Sequence, residues 1–334
     1  MNLHNIVRLK LTHIVLIFTT LLTVTFSFTT AFAHVRWFVK ADDPNLVNYP
    51  IYSFTDPEVL IWIAIGILLI GASIFLDGKL PKIPIIKSKS RHDILESLRI
   101  FTGMSFLLTA YGGALIAPHM QAYGGFGIAL VFLQALIGIL LISNHFIHHA
   151  ALMMLVLFIG VMVQFGFIFA LEYSNVIGIA LFFLFNHLPN KQLQERYKPY
   201  SVDVLRIFTG IALVTLGVTE KLYGSALGQA FITKYPWNFM DMLGLEFFTD
   251  QVFVLSAGMM EVIMGTILIL GTTTRLNTLV ISIFMLASNT VFLLVNQSDN
   301  ALMELVGHMP IIASAVILLF LGYGQRLKIT NLFK

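Results

Sequence analysis

Residues 98–103 read Leu-Arg-Ile-Phe-Thr-Gly, and residues 205–210 read the same six amino acids 107 positions later. The similarity extends outward, because Asp203 precedes the second copy where Glu96 precedes the first. Glycine in an apolar helix permits close approach of a neighbouring helix, and arginine near a helix end reaches the membrane surface. We therefore expect the chain to contain one helical unit twice.

The composition is typical of a membrane protein. Of the 334 residues, 57% are hydrophobic and 11% are charged, and the mean hydropathy is +0.87, whereas a soluble domain has about 25% charged residues. The sequence contains no cysteine, which excludes disulfides, thiol catalysis and cysteine-ligated zinc or iron–sulfur centres. It also lacks phosphate-binding glycine motifs, and its small net charge of +3 gives no support to nucleic-acid binding.

Nine apolar segments follow residue 57, most of them close to the length of about 20 residues that crosses a bilayer as a helix. An even number of segments separates the two copies, so the repeats run parallel. We predict an all-α polytopic transmembrane bundle with two parallel four-helix repeats and one preceding helix. The nine segments are 58–77, 94–117, 126–143, 147–171, 174–188, 203–223, 251–271, 276–296 and 303–322.

These segments divide the chain into four parts. Residues 1–33 are predicted to be a signal peptide or an N-terminal anchor, because a basic start precedes an apolar stretch and small residues. Residues 34–93 hold an extracytoplasmic segment, the first transmembrane helix and a basic cytoplasmic loop. Residues 94–200 form the first four-helix repeat, and residues 201–334 form the second.

Positive charge predicts the orientation. With residue 34 outside, 14 Lys and Arg residues fall in or beside the cytoplasmic connections and four fall on the other side. An excess of Lys and Arg marks the cytoplasmic side of a membrane protein. We therefore expect a multi-pass protein of the bacterial inner membrane, with its mature N-terminus outside and its C-terminus in the cytoplasm.

The second copy contains a characteristic set of residues: Arg-Ile-Phe-Thr-Gly at 206–210, Gly217, Glu220-Lys221-Leu222, Glu261, Gly265 and Gly-Thr-Thr-Thr-Arg-Leu at 271–276. In these residues it resembles the DoxX family of small four-helix membrane proteins, and the resemblance covers residues 201–323. The resemblance implies a four-helix unit with a redox-associated role, since the related DoxD proteins are associated with quinone-linked thiosulfate oxidation.

The first copy, over residues 94–188, is a degenerate version of this unit. Gly113 and Ala114 stand where the second copy has Glu220 and Lys221. We therefore expect the first copy to keep the scaffold and to lack the site.

Charged residues within apolar segments form the main candidate site. Glu261 lies at the centre of the seventh segment, where a carboxylate costs about 3 kcal/mol and usually faces a partner or a pathway. We predict that Glu261 and Glu220 are catalytic, proton-handling residues and that Lys221 and Arg275 contact a bound quinone. Because the sequence shows no evident electron carrier, we also expect an extracytoplasmic redox partner subunit. The alternative without chemistry is that these side chains only fix helix packing.

A copper site on the periplasmic side is the second hypothesis. Cleavage after Ala33 would leave His34 as the first residue, and its α-amine and ring nitrogen suit copper. His119 lies in an outer loop, and Glu304 and His308 share a helix face through their i, i+4 spacing. A third interpretation is a structural partner in a membrane complex. In all three, lipids surround the helices.

Overall fold

The structure, a computed structural model, describes residues 35–39, 46, 48–80, 88–235, 237–294, 296–321 and 326–331. The predicted signal segment 1–33 and the predicted metal ligand His34 lie outside these residues. The regular structure in the described ranges is helical, and two residues, Ala114 and Gln121, form an isolated backbone bridge in a loop.

Every apolar segment predicted from the sequence contains a helix. The helices are α1 (Pro57–Leu76), α2 (Ser88–Tyr111), α3 (Gly124–Ile142), α4 (Ile147–Phe165), α5 (Phe167–Leu171), α6 (Asn175–Asn186), α7 (Lys191–Tyr197), α8 (Ser201–Leu216), α9 (Ser225–Lys234), α10 (Phe239–Met242), α11 (Asp250–Leu270), α12 (Thr274–Leu294) and α13 (Ser298–Phe320). Within the described residues, seven helical stretches are long and apolar enough to cross a membrane. The other two segments contain α2, which begins with polar residues, and α6, which has 12 residues. An all-α, multi-pass bundle is therefore confirmed.

In the first copy, the repeated arginine closes the end of a neighbouring helix. Arg99 is paired with Glu96 on α2, and its Nη1 donates to the carbonyl oxygens of Leu141 and Ile142 at the end of α3. The last carbonyls of a helix have no partner within that helix. The guanidinium satisfies them, while the carboxylate compensates its charge.

The second copy repeats this arrangement. Arg206 is paired with Asp203, with 3.3 Å between Nη2 and Oδ1, and its Nη1 donates to the carbonyl oxygens of Leu268 and Ile269 near the end of α11. Both members of the pair are fully buried. Removal of either member would leave an uncompensated buried charge, so the pair and the capped helix end depend on each other.

The repeated glycine brings two helix backbones together in each copy. A methyl group at Gly103 would lie 3.0 Å from the carbonyl oxygen of Gly138, and one at Gly210 would lie 2.6 Å from that of Gly265. A larger side chain at either crossing requires the helices to move apart. The glycine is thus repeated because α2 crosses α3, and α8 crosses α11, at backbone contact.

The partners of these glycines show where the two copies differ in length. Positions 103 and 210 are 107 residues apart, whereas positions 138 and 265 are 127 residues apart. The second copy therefore has 20 additional residues between its first two helices, in the region that contains α9 and α10. By the same offset of 127, Gln134 in the first copy stands at the position of Glu261.

The two copies pack against each other reciprocally. The last helix of the first copy, α6, contacts α8, and the last helix of the second copy, α13, contacts α2. Together with the contacts between successive long helices within each copy, these contacts close eight helices into a ring. The preceding helix α1 packs against α11. The space inside the ring is therefore lined by side chains from both copies.

Candidate functional site

The helix α8 does not finish as an α-helix. Gly217–Leu222 is a π-helical turn, in which the Tyr223 amide donates to the Val218 carbonyl oxygen over 2.7 Å. Such turns occur singly within or at the end of α-helices, frequently at functional sites. This turn contains Glu220 and Lys221, and it places both side chains in the interior.

Lys221 reaches Glu261 on the neighbouring helix α11. The Nζ of Lys221 lies 2.9 Å from Oε1 and 3.0 Å from Oε2 of Glu261. The exposed fraction is 5% for Lys221 and 2% for Glu261, so each charge depends on the other for compensation. An ammonium group has three protons, and Lys221 therefore has donor capacity for a further acceptor.

This ion pair borders a cavity of about 60 Å³ between α6, α8, α11, α12 and α13. Lys221, Glu261 and His308 contribute titratable groups to its lining, and Asn175 contributes an amide from the first copy. Most of the remaining lining is apolar. Apolar walls with a few converging polar groups are the usual features of a small-molecule site in a protein.

A short segment at residues 35–39 brings a cation and a backbone donor to this end of the bundle. The Val35 amide donates to Oε2 of Glu220 over 2.9 Å. Arg36 lies between two carboxylates, with 2.9 Å from Nη1 to Oε1 of Glu172 and 3.9 Å from Nε to Oε1 of Glu220. The segment thus joins acidic residues that come from different copies.

Glu172 lies in the connection between α5 and α6. Burial raises the pKa of Glu172 to about 7, and the charge of Glu220 adds to this shift. Arg36 and the Thr219 hydroxyl, which donates to Glu172 over 2.7 Å, act in the opposite direction. Burial therefore brings the pKa of Glu172 closer to neutral pH than that of an exposed glutamate.

Trp37 links the segment to both copies. Its Nε1 donates to the hydroxyl of Tyr173 over 3.1 Å, and its ring centroid lies 5.1 Å from that of His308. The indole occupies the space that a Cβ at position 307 would need, so this packing requires Gly307. Trp37 consequently packs over one of the side chains that line the cavity.

The additional residues of the second copy receive Phe38. Its ring centroid lies 4.9 Å from Phe292, 5.5 Å from Phe231 and 5.9 Å from Tyr235. Trp237 completes the cluster, 4.0 Å from Phe292. Aromatic pairs contribute about 0.5–1.5 kcal/mol each beyond their burial, so this cluster anchors the segment at residues 35–39.

The first copy has a neutral side chain in place of the ion pair. Gln134, at the position of Glu261, is fully buried. Its Oε1 accepts from the Ile116 amide over 2.7 Å, and its Nε2 donates to the Ala114 carbonyl oxygen over 3.2 Å. Because Ala114 stands where the second copy has Lys221, the amide is satisfied by backbone groups and by the Thr109 hydroxyl instead of a cation.

The three predicted metal ligands that the structure describes lie at the same end of the bundle. Glu304 and His308 are buried on α13, with 3.9 Å between Oε1 and Nδ1. His119 lies in the loop after α2, and its ring centroid is 6.1 Å from that of Tyr173. Among the residues that the structure describes, no group of three or more His, Asp or Glu side chains is arranged to hold a metal ion.

Arg275 is not part of the cavity lining. It stands at the start of α12, and its Nη2 donates to the Phe320 carbonyl oxygen at the end of α13 over 3.3 Å. The π turn that holds Glu220 and Lys221 lies at the opposite end of the bundle. The hydrogen bond to Phe320 thus places the guanidinium of Arg275 at a helix end.

Four residues of this site were not predicted from the sequence to be site residues. Glu172 had a usable signal, because it is the one Asp, Glu, Lys or Arg between residues 100 and 190. Tyr173, Arg36 and Trp37 had none, because the first is one aromatic among many and the other two lie outside every apolar segment. Their contribution depends on contacts between distant parts of the chain.

Comparison with known proteins identifies part of the second copy. Residues 201–294 match the family model described as DoxX, and this range contains the π turn, the Lys221–Glu261 pair and α12. Searches of the curated proteins and of the solved structures each found no match. The resemblance to DoxX is thus confirmed for residues 201–294, a DoxX-like segment within a longer multi-pass membrane protein.

Proposed function

We propose that the protein is a quinone-linked subunit of a membrane redox system. The observation that carries this proposal is the cavity in which Lys221 and Glu261 face apolar walls. A quinone headgroup is a flat ring with two carbonyl acceptors, and when bound it supplies two-electron, two-proton chemistry. The DoxX match supports the proposal through the quinone-linked role that the resemblance implies.

The residues present fit such a headgroup. Lys221 has a proton available for a carbonyl oxygen, and the buried Asn175 Oδ1 has no hydrogen-bond partner in the described part of the chain. The cavity of about 60 Å³ admits part of a ring, so a side chain must move to admit the rest. Met285, which lines the cavity, has the flexible side chain for this movement.

The chain's own residues would bind, orient and exchange protons. Lys221 donates to the carbonyl oxygen, Glu261 compensates the ammonium charge and accepts or releases a proton, and residues 35–39 limit the access of water. We propose that an extracytoplasmic redox partner subunit supplies the electrons. The positive charge of alternate connections supports an inner-membrane location with residue 35 outside and the C-terminus in the cytoplasm.

Binding of a short-chain quinone to the full-length protein in lipid nanodiscs tests this proposal. We expect saturable quenching of tryptophan fluorescence, since Trp37 packs beside the cavity-lining His308. The substitutions Lys221→Met and Glu261→Gln should each weaken binding about tenfold, a loss of about 1.4 kcal/mol. Glu195→Gln, on the exposed face of α7, is the matched control. Equal affinities in all four proteins would exclude this cavity as the site.

Copper handling at the outer face is a second candidate function. One observation favours it: the Val35 amide contacts Glu220, and His34 directly precedes Val35 in the sequence. Copper would be bound by His34 with nitrogen or oxygen ligands from His119, Glu304 and His308.

The mass of the mature protein and its copper content test this candidate. We expect a mature chain that begins at His34 and binds copper stoichiometrically, with loss of copper in His34→Ala. His145→Ala removes an exposed imidazole at the other end of the bundle and is the control. Equal copper content in wild type and His34→Ala would reject His34 as a ligand.

A further inference from the structure

Buried polar side chains continue from the cavity to the outer end of the bundle. Glu220 is the neighbour of Lys221 in the π turn. Its Oε1 lies 3.9 Å from Nε of Arg36. Arg36 in turn contacts Glu172 at 2.9 Å. These side chains form a row that runs from the cavity lining to the connection between α5 and α6.

The row contains more acidic than basic groups. Three carboxyl groups, those of Glu172, Glu220 and Glu261, share the two cations Arg36 and Lys221. A buried carboxylate without its own counter-charge binds a proton, so the row holds an exchangeable proton. Burial raises the pKa of Glu172 to about 7, in agreement with this count. The other titratable groups around the row are His119, Tyr173, Glu304 and His308.

Several atoms of the row lack hydrogen-bond partners within the described residues. They are Nε of Arg36, Oε2 of Glu172 and Oε1 of Glu220. Buried polar atoms are normally satisfied by protein or by ordered water, and polar contacts longer than about 3.5 Å are often bridged by water. The gap of 3.9 Å between Arg36 and Glu220 therefore suits a bridging water, which would also relay protons.

We infer that Glu172 and Glu220 form a proton-transfer path between the outer end of the bundle and the cavity, with Lys221 and Glu261 at its inner end and Arg36 as a fixed counter-charge. This inference rests on the proposed function. Reduction of one quinone consumes two electrons, supplied by the extracytoplasmic redox partner, and two protons, which the path delivers. Oxidation of the quinol returns the electrons to that partner and the protons to the outer side.

Electrochemical reduction of bound short-chain quinone tests the path without the partner subunit. Proton uptake is followed with a pH-indicator dye, and carboxylic-acid C=O bands are followed by infrared difference spectroscopy. Glu172→Gln should bind quinone like the wild type, slow proton uptake about tenfold or more and remove one such band. Glu172→Asp should restore the rate, and Glu58→Gln at the exposed start of α1 should change nothing. Uptake at the wild-type rate in Glu172→Gln would overturn the path while the binding site stands.

Carbodiimide labelling tests the path independently of quinone. Carbodiimides react with protonated carboxyl groups in apolar surroundings, and peptide mass spectrometry locates the label. We expect label on Glu172 or Glu220 that decreases as the pH rises, and none on Glu58. Labelling without quinone binding would remove the proposed substrate and keep the path. Absence of label on both residues over the whole pH series would overturn the path.

Discussion

At the scale of single residues, the buried Lys221–Glu261 pair makes a prediction about stability. Removal of one partner of a buried pair typically destabilises a protein by about 3–5 kcal/mol. We expect this loss for Lys221→Met and for Glu261→Gln, measured by denaturant unfolding in detergent. The double variant should recover part of it, because neither charge remains. Additive losses in the double variant would contradict the pairing.

Gly307 makes a separate prediction about the segment at residues 35–39. A side chain at this position meets the indole of Trp37. We therefore expect Gly307→Val to displace Trp37, shift its fluorescence to longer wavelength and expose the segment to protease. Gly71→Val, on α1 where a Cβ meets nothing within 4 Å, is the control. Identical cleavage patterns for the two variants would count against this packing.

The buried imidazole of His119 should make the stability of the folded protein depend on pH. Burial lowers the pKa of His119 from 6.5 to about 4, and the charge of Arg36 adds to the shift. Because the folded-state pKa is depressed, its contribution to stability is complete above pH 6.5 and is lost as the pH falls towards 4. We expect the melting temperature of His119→Phe to decrease less than that of the wild type as the pH falls from 6.5 towards 4. The control His145→Phe, at an exposed position, should follow the wild type. Parallel melting curves for wild type and His119→Phe over this range would refute the assignment.

The sequence predicts the charged residues of the site better than their surroundings. Glu220, Lys221 and Glu261 stand out because charge is expensive inside apolar helices. Trp37 does not stand out, because its role depends on the indole meeting Gly307 across 270 positions of sequence. Long-range fit of this kind leaves no local pattern.

At the scale of elements, the crossing of α8 and α11 depends on two facing glycines. A methyl group at Gly265 would lie 2.7 Å from the Gly210 carbonyl oxygen. Gly265→Leu should therefore force the helices apart and lower the free energy of unfolding by about 1–3 kcal/mol. Gly138→Leu should cost a similar amount in the first copy, and Gly71→Leu should cost little. A melting temperature unchanged in Gly265→Leu would argue against the close crossing.

Hydrophobic segments locate the helices, but the backbone conformation at particular residues determines where the helices end. The second segment was expected to continue to residue 117, whereas α2 ends at Tyr111 because Gly113 adopts a φ of 72°, which favours glycine and ends a helix. The π turn in α8 was not predicted, since an inserted residue leaves the apolar pattern almost unchanged. This turn is nevertheless what turns both Glu220 and Lys221 inward.

At the scale of the whole molecule, the two copies form one bundle through the packing of α6 against α8 and of α13 against α2. The repeated motif predicts two similar units, and it does not predict which helices meet between them. In the structure, α6 of the first copy supplies Asn175 to a cavity that is otherwise lined by the second. The first copy has Gln134 at the position that corresponds to Glu261. It thus lacks the charged pair itself but contributes to the wall of the charged cavity in the second copy.

The absence of cysteine from the sequence permits a direct test of the topology, because each introduced cysteine reports alone. The exposed residues Lys79, which follows α1, and Glu195, in α7, lie at one end of the bundle, and the exposed residues Glu58 and Glu246 lie at the opposite end. In the proposed orientation, Lys79 and Glu195 face the cytoplasm. We expect a membrane-impermeant maleimide to label Glu58→Cys and Glu246→Cys in intact cells, and to label Lys79→Cys and Glu195→Cys only after the membrane is opened. An odd number of crossings between residues 79 and 195 would place them on opposite sides, and it would break both the parallel repeat and the ring.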